Sequence, residues 1–294
     1  MSVKALKAEG WALEQPEVLR LMEKLRNSGT PLGEYVDGRF YYGIKTGLNE
    51  AFVIDGETRE RLITEDPKST ELIKPWLRGK DIKRWKAEWA GLYLITIPSS
   101  VNREWSWSEE KTEHKALTVF RDSYPAIADH LIQWKDKLKA RDDQGKFWWE
   151  LRSCAYYKEF EQPKIVYPNI TRTNVFTFDT SGWFTNQKCF IIPTNDQYLL
   201  AILNSKVASE WFAATLPLLR GGFYEPSAVF MKDFPVPSVA DTQKTPIVNL
   251  VQQILADPDS PDVPRLEAEI NRLVYDLYDL TPEEIRIVEG NHHV

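Results

Sequence analysis

The sequence predicts an α/β protein of the mixed α+β kind, with short strands and helices intermingled in one body and a helical segment at its C-terminal end. Three observations lead there. Between Leu32 and Pro237, short apolar or aromatic runs are punctuated by Gly, Pro and Asn. Apolar residues at helical spacing flank that region on both sides. At 294 residues with 43% hydrophobic and 12% aromatic side chains, the chain can bury a sizeable core without disulfide staples.

The first element rests on Val18, Leu19, Leu21, Met22 and Leu25, preceded by Trp11 and Leu13 and stopped by Asn27-Ser28-Gly29-Thr30-Pro31. Residues 1–30 are therefore read as a helical linker that packs on the next domain. Strands are expected at 40–44, 51–54, 93–97, 164–167, 175–178 and 189–192, where β-branched and aromatic residues cluster. Helices are expected at 58–64, 71–75, 124–140 and 196–214. In the last, Asp196 can cap, and Leu199, Leu200, Leu203, Val207 and Trp211 share a side. Phe234-Pro235-Val236-Pro237-Ser238 closes a mixed domain spanning 31–238. In the C-terminal helical segment, 239–294, helices are expected at 247–255 and 265–280, parted by three prolines between Asp257 and Pro264. Thr281-Pro282-Glu283-Glu284 opens one more, with a capping Thr, Pro in the first turn and acid at the positive end.

Charge narrows the function classes. A net charge of −6 speaks against a chain that merely coats nucleic acid. The acidity is concentrated: from Asp241 onward there are 11 acidic residues and 4 lysines and arginines, which leaves 32 acidic and 33 basic residues in the body. A near-neutral body can carry a basic face, and the densest basic run is Lys74 to Lys86. Cys154 and Cys189 form no Cys-x-x-Cys pair, and two of the four histidines are His292 and His293, so no structural zinc is expected. Without a leader pattern or an apolar run of about 18 residues, a cytoplasmic chain with no membrane contact is expected.

Catalytic patterns are missing from the sequence. Methyl transfer to a base amine needs an Asn- or Asp-Pro-Pro-aromatic loop, but no Asn precedes Pro, and Asp66-Pro67 and Asp257-Pro258 continue into Lys and Asp. No Gly-x-Gly follows a strand to cradle a nucleotide. Asp81 with Glu109-Glu110-Lys111 could be forced into the carboxylate set that metal-dependent cleavage needs, but Glu109 to Lys115 reads better as a solvated helix start. His114 and His130 sit in polar helical contexts and are expected at the surface.

Binding patterns are more abundant. Lys74 to Lys86 sets six cations and two tryptophans around Gly79; Arg78, Lys80, Lys83 and Arg84 can reach phosphates or a guanine edge, unless the run is a solvated turn with Trp85 in the core. Tyr42 to Phe52 reads as a hairpin whose tip carries Lys45, Thr46 and Asn49, the last able to pair bidentately with adenine; an ordinary tight turn is the alternative. Arg152 follows Phe147-Trp148-Trp149, and Lys164, Asn169 and Arg172 surround Tyr167. Those side chains can contact or stack on bases, or else be structural beside core aromatics. Arg220 lies in the turn Leu219-Arg220-Gly221-Gly222, which permits close backbone approach to a phosphate or base.

Seven strings, in order, resemble the C-terminal specificity region of adenine-specific DNA methyltransferases of the TaqI-like and type IIG restriction-modification kind. They are Gly43 to Phe52, Lys74 to Ile82, Trp148 to Arg152, Pro163 to Asn169, Tyr198 to Lys206, Leu219 to Gly222 ahead of Phe234 to Pro237, and Leu266 to Val288. The resemblance implies that 31–238 is a target-recognition domain reading a short stretch of double-stranded DNA from the major groove, beside a methyltransferase domain or subunit. In that family the catalytic loop lies upstream, so a fragment or stand-alone specificity part is expected. No cofactor is then expected in this chain; S-adenosylmethionine, and magnesium where the enzyme also cleaves, would act in the intact enzyme. Two other classes stay open at this point: a carbohydrate-binding protein, motivated by 11 tryptophans, and a complete metal-dependent nuclease.

Overall fold

Helix signals at the start of the chain are locally complete, with Pro16 at the first turn and Lys24 and Arg26 in the last of α1 (Pro16–Arg26). The computed structural model describes residues 16–290, so expectations on Trp11, Leu13, His292 and His293 lie outside the described residues. After α1 come β1 (Thr30–Pro31), α2 (Leu32–Tyr35), β2 (Tyr41–Tyr42), α3 (Asn49–Phe52), β3 (Val53–Ile54) and α4 (Gly56–Glu65), the last capped by Asp55. The expected strand at 51–54 is thus half right. Asn49–Phe52 is a helical turn, and 42–52 is a loop running into it rather than a hairpin.

The stretch 71–75, expected as a helix, is instead part of strand β4 (Ile73–Leu77). Pro75 argues locally against a strand, yet β4 tolerates it: β8 pairs with β4 only from Trp76 onward. Next come β5 (Tyr93–Ile95), α5 (Glu113–Ser123), α6 (Pro125–Ile132) and α7 (Lys135–Ala140), so the span 124–140 is broken at Gln133 and Trp134. The following strands are β6 (Lys164–Pro168), β7 (Thr177–Asp179), β8 (Phe184–Thr185) and β9 (Cys189–Pro193). The span 196–214 becomes α8 (Gln197–Leu203), capped by Asp196, and α9 (Lys206–Thr215), capped by Ser205. A small hairpin of β10 (Leu218–Leu219) and β11 (Phe223–Tyr224), then α10 (Ala228–Met231) and β12 (Pro235–Val236), lead to α11 (Asp241–Ala256), α12 (Val263–Leu277) and α13 (Pro282–Val288).

Two four-stranded sheets organise these pieces. One, ordered β2-β9-β6-β7, is antiparallel throughout; the other, β3-β5-β4-β8, joins its last two strands in parallel. The first sheet is buried on both faces, which is why Lys164–Pro168 and Cys189–Pro193 read as nearly unbroken apolar runs. Alternate side chains enter different cores. Ile165, Tyr167, Phe190 and Ile192 face a helical layer built from α1, α8, α9 and α11 to α13. Val166, Cys189 and Ile191 face a second core with Phe52, Trp76, Leu94 and the aromatic stack of Trp107, Phe120 and Trp149. Residues 21 and 288 thus belong to one apolar layer. Among the described residues no helix is long and apolar enough to cross a membrane.

Candidate nucleic-acid interface

One end of the doubly buried sheet gathers the loops that the sequence singles out. The strand directions require it. β2 and β6 leave the sheet where β9 enters it, because β9 is antiparallel to both, and β4 and β8, running parallel, release their chains together into 78–81 and 186–188. The turn Asn186-Gln187-Lys188 is the hub of this end. Asn186 N–H donates to Leu77 O at 3.0 Å, and Asn169 N–H donates to Lys188 O at 2.8 Å. Ile44 N–H donates to Thr185 O at 2.6 Å. Two glycines make the approach possible: a Cβ at Gly43 would lie 1.9 Å from Asn186 O, and one at Gly79 2.8 Å from Lys188 O.

The neighbouring loop, 141–152, is folded around two buried charges. Glu150 is fully buried and its carboxylate accepts from the Ser100 hydroxyl, from Trp107 Nε1 at 3.0 Å and from Lys146 N at 2.8 Å. Arg141 donates to Trp148 O at 2.9 Å, and to Glu150 O and Thr46 O, tying this loop to the one after β2. Burial pushes its guanidinium down to about 10, which still leaves it charged at neutral pH. The consequence is a shared anchor: Lys45 Nζ lies 2.8 Å and Arg152 3.3 Å from Asp143. Lys45 and Arg152 are exposed, as is Lys188 beside them. These three cations and Gln187 line one groove of about 510 Å³ with Tyr42 at its rim. Tyr42 is 56% exposed and rests on Phe190 at 4.4 Å.

A second cluster continues the same end past β6. Thr171 pairs with Tyr224, through Thr171 N to Tyr224 O at 3.1 Å and the return bond at 2.6 Å, which lays residues 169–173 against the β10–β11 hairpin. The Arg172 guanidinium stacks 4.5 Å from the Phe223 ring, and Arg220 is exposed at the hairpin tip. Asn204 holds the strand behind them, exchanging bonds with Phe176 N at 3.2 Å and Phe176 O at 2.9 Å.

Not every residue picked from the sequence belongs here. Lys45, Asn49, Lys80, Arg152, Arg172 and Arg220 are exposed on these loops, and Asn169 is half-buried beside the hub. Asn49 accepts a bond from the Thr46 hydroxyl at 2.7 Å; Thr46 itself is buried, so its role is to orient Asn49. Lys164 is placed wrongly by sequence reasoning: it lies at the opposite end of β6, fully buried, with its ammonium on Asp179. Burial pushes its pKa down, with Asp179 opposing the shift.

The basic run is also largely neutralised. Arg78 grips Asp81 with two bonds of 2.8 Å, Lys83 lies 3.6 Å from Glu88, and Arg84 lies 2.5 Å from Glu267 while donating to Asn204 O at 2.6 Å. Lys74 and Lys86 pair with Glu161 at 3.0 Å and Asp259 at 2.5 Å. Arg78 therefore closes its own turn, and Arg84 cross-links distant parts of the fold. Burial raises the Asp81 pKa, but the hydrogen bonds from Arg78 outweigh it and hold the carboxyl below its ordinary value. His130 corrects another expectation, being half-buried with Nε2 3.0 Å from Ala51 O.

Sequence reasoning missed Gln187 and Lys188. The available signal was a polar Asn-Gln-Lys triplet squeezed between the apolar ends of two strands. The tryptophans that motivated a sugar platform are mostly core: Trp76, Trp107, Trp149 and Trp211 are at most 1% exposed. Asp81 is committed to Arg78, and among the described residues no group of three or more His, Cys, Asp or Glu is placed to hold a metal.

A sheet buried on both faces presents polar and cationic loops from one end, and side-chain contacts are the chemistry that this end offers. The chain belongs to the TaqI-like C-terminal specificity domain family, whose model matches residues 74–236. It is 25% identical over 244 residues to the type II methyltransferase M.MjaIV of Methanocaldococcus jannaschii, covering 79% of this chain and 76% of that protein. It is 24% identical over 290 residues to the type II methyltransferase M.PaeR7I of Pseudomonas aeruginosa, covering 97% of this chain and 45% of that one. The chain thus spans about three quarters of the first relative and less than half of the second. The fold is also that of part of the type IIL restriction-modification enzyme MmeI, solved in complex with DNA. That match has a TM-score of 0.58 and 14% identity, over 85% of this chain and 34% of that one.

Proposed function

We propose that this chain is the specificity part of a restriction-modification adenine methyltransferase and that it reads a short duplex DNA sequence with the loop end of its β2-β9-β6-β7 sheet. The observation that carries the reading is the gathering of Lys45, Lys80, Arg152, Lys188, Arg172 and Arg220 on loops from that one end, in a chain whose relatives are type II methyltransferases. Exposed lysines and arginines supply phosphate contacts that fix register, while Asn49, Gln187 and Asn169 present amides to base edges. Residues 31–238 form the target-recognition domain, 1–30 a linker, and 239–294 a helical segment whose excess of acid keeps it off the phosphates. A methyltransferase domain or subunit, carrying S-adenosylmethionine, performs the chemistry.

Equilibrium binding to a mixed-sequence duplex over a range of salt tests the reading. Affinity should fall steeply with salt, and Lys188→Ala should reduce the slope of log K against log salt by about one. Asn49→Ala should cost about 1–3 kcal/mol on a duplex selected from a random pool and nothing on the mixed-sequence one. Binding that is indifferent to salt would sink the proposal.

A further inference from the structure

A largely buried carboxylate paired with two cations of the groove proposed above to meet DNA phosphates demands an explanation. Asp143 is that carboxylate. Its side chain is 14% exposed, it lies 2.8 Å from Lys45 Nζ and 3.3 Å from Arg152 Nη1, and it lines the part of the groove shared by Lys45, Asn49, Gln187 and Lys188. Both cations are about half exposed, at 48% and 54% of their side chains. Asp143 has little freedom. The Arg141 guanidinium, bonded to Thr46 O, Trp148 O and Glu150 O, fixes the chain two residues before it. The loop over it is equally close, since a Cβ on Gly47 would meet Asp143 Cβ at 3.0 Å.

We infer that Asp143 is a specificity-determining positioning residue, which holds Lys45 and Arg152 in one geometry and makes them less available to the phosphates of any passing duplex. The inference rests on the DNA-reading function proposed above. The physics is a competition. A phosphate that captures Lys45 or Arg152 must break or share an existing ion pair and approach a fixed negative charge, so sequence-independent attraction is reduced. A duplex that docks in register gains two cations already ordered, and loses less side-chain entropy on binding than it would with free lysine and arginine chains. Affinity for arbitrary DNA is given up, while discrimination rises.

The test uses the whole chain and Asp143→Asn, which keeps the side-chain volume and removes the charge. A mixed-sequence duplex is titrated at several salt concentrations, and a pool of randomised duplexes is selected on wild type and variant and sequenced. Asp143→Asn should bind the mixed-sequence duplex about 3- to 10-fold more tightly, with a salt slope steeper by about one to two phosphate contacts. Its selected pool should be less enriched in any one sequence. In the triple variant with Lys45→Ala and Arg152→Ala the gain should vanish, which ties it to those two cations. Thermal unfolding checks that the variant is folded, and Asp143→Ser offers a second replacement if Asn fails to fold.

Unchanged or weaker mixed-sequence binding by a folded variant overturns the inference. A selective loss on the enriched sequence alone also overturns it, because Asp143 would then be a base reader, accepting from a cytosine amine. A wild type that binds no duplex at low salt defeats the DNA reading itself, and this inference with it. A binding wild type with an unaltered Asp143→Asn defeats this inference alone.

Discussion

Truncating Lys164 would leave the Asp179 carboxylate in the core with two backbone donors, Ser181 N at 2.7 Å and Trp183 N at 2.9 Å, and no counter-charge. Breaking a buried pair from one side costs more than the pair is worth, because the surviving charge keeps its desolvation penalty. Lys164→Ala should therefore lower unfolding free energy by about 3–5 kcal/mol, read from denaturant midpoints at constant m-value. Affinity of the folded fraction for DNA should be unchanged, since the ammonium lies at the far end of β6. A marked drop in affinity at full stability would return Lys164 to the interface. Lys164, Arg78 and Arg84 all carry the chemistry of phosphate binding, and in each case an acid decides otherwise: Asp179, Asp81 and Glu267. A sequence window reveals the cation and its aromatic neighbours. It also shows Asp81 three residues from Arg78, but it cannot reveal a partner that comes from another strand or from a helix more than 180 residues away. The exposure of Lys45, Arg152 and Asn49 was legible from their place in polar loops, although the same loops bury Thr46, Arg141 and Glu150, which nothing local records.

At the scale of elements, α3 reaches the interface through a single contact worth probing. His130 on α6 bonds Ala51 O, within the helical turn that Asn49 begins. Burial holds the imidazole below its ordinary value near 6.5, with the Ala51 contact opposing and Arg61 adding to the shift. Proton linkage sets the sign of the effect. Below 6.5 the unfolded chain takes up a proton that the folded chain refuses, so stability is full above 6.5 and declines as pH falls towards the folded value. His130→Gln, which keeps an N–H donor, should flatten that decline in denaturant midpoints measured on both sides of 6.5. An unchanged pH profile would assign the acid sensitivity to other groups. Elements whose caps and periodicity agree were readable, such as α8 and α13, and α12 was readable from its periodicity alone. The stretch 71–77 was not. Lys74 and Pro75 look foreign to a strand, and their place in one is set by pairing with Leu94 and Tyr93, which local propensity does not encode.

The whole molecule is closed by contacts between its distant ends. Thr30 and Pro31 pair with Val236 and Pro235, and Lys24 lies 2.7 Å from Glu284. The mixed fold class was legible from composition and punctuation. The sharing of one apolar layer by residues 21 and 288 was not, because no local pattern records it. That layer makes the last expectation definite. Helices α11 to α13, with Tyr278 just past the end of α12, contribute Ile247, Val251, Ile254, Leu266, Ile270, Val274, Tyr275, Ile287 and Val288 to the core. Polar cross-links add to this: Tyr278 Oη donates to Pro235 O at 2.6 Å, Trp85 Nε1 to Glu267 at 2.5 Å, and Lys206 N to Asn271 at 2.8 Å. Ending the chain before Asp241 would expose the matching face of α8 and α9, and each large apolar side chain so exposed forfeits about 1.5–3 kcal/mol. Against a domain stability of about 5–15 kcal/mol, a few such losses suffice. The truncated protein should lose its cooperative thermal transition and aggregate, although the chain removed carries 11 acidic residues and only 4 lysines and arginines. Calorimetry and sedimentation read the outcome. A truncation that unfolds cooperatively as a monomer and still binds duplex DNA would make the acidic helices an independent layer, and the body would then need some other cover for Val207 and Trp211.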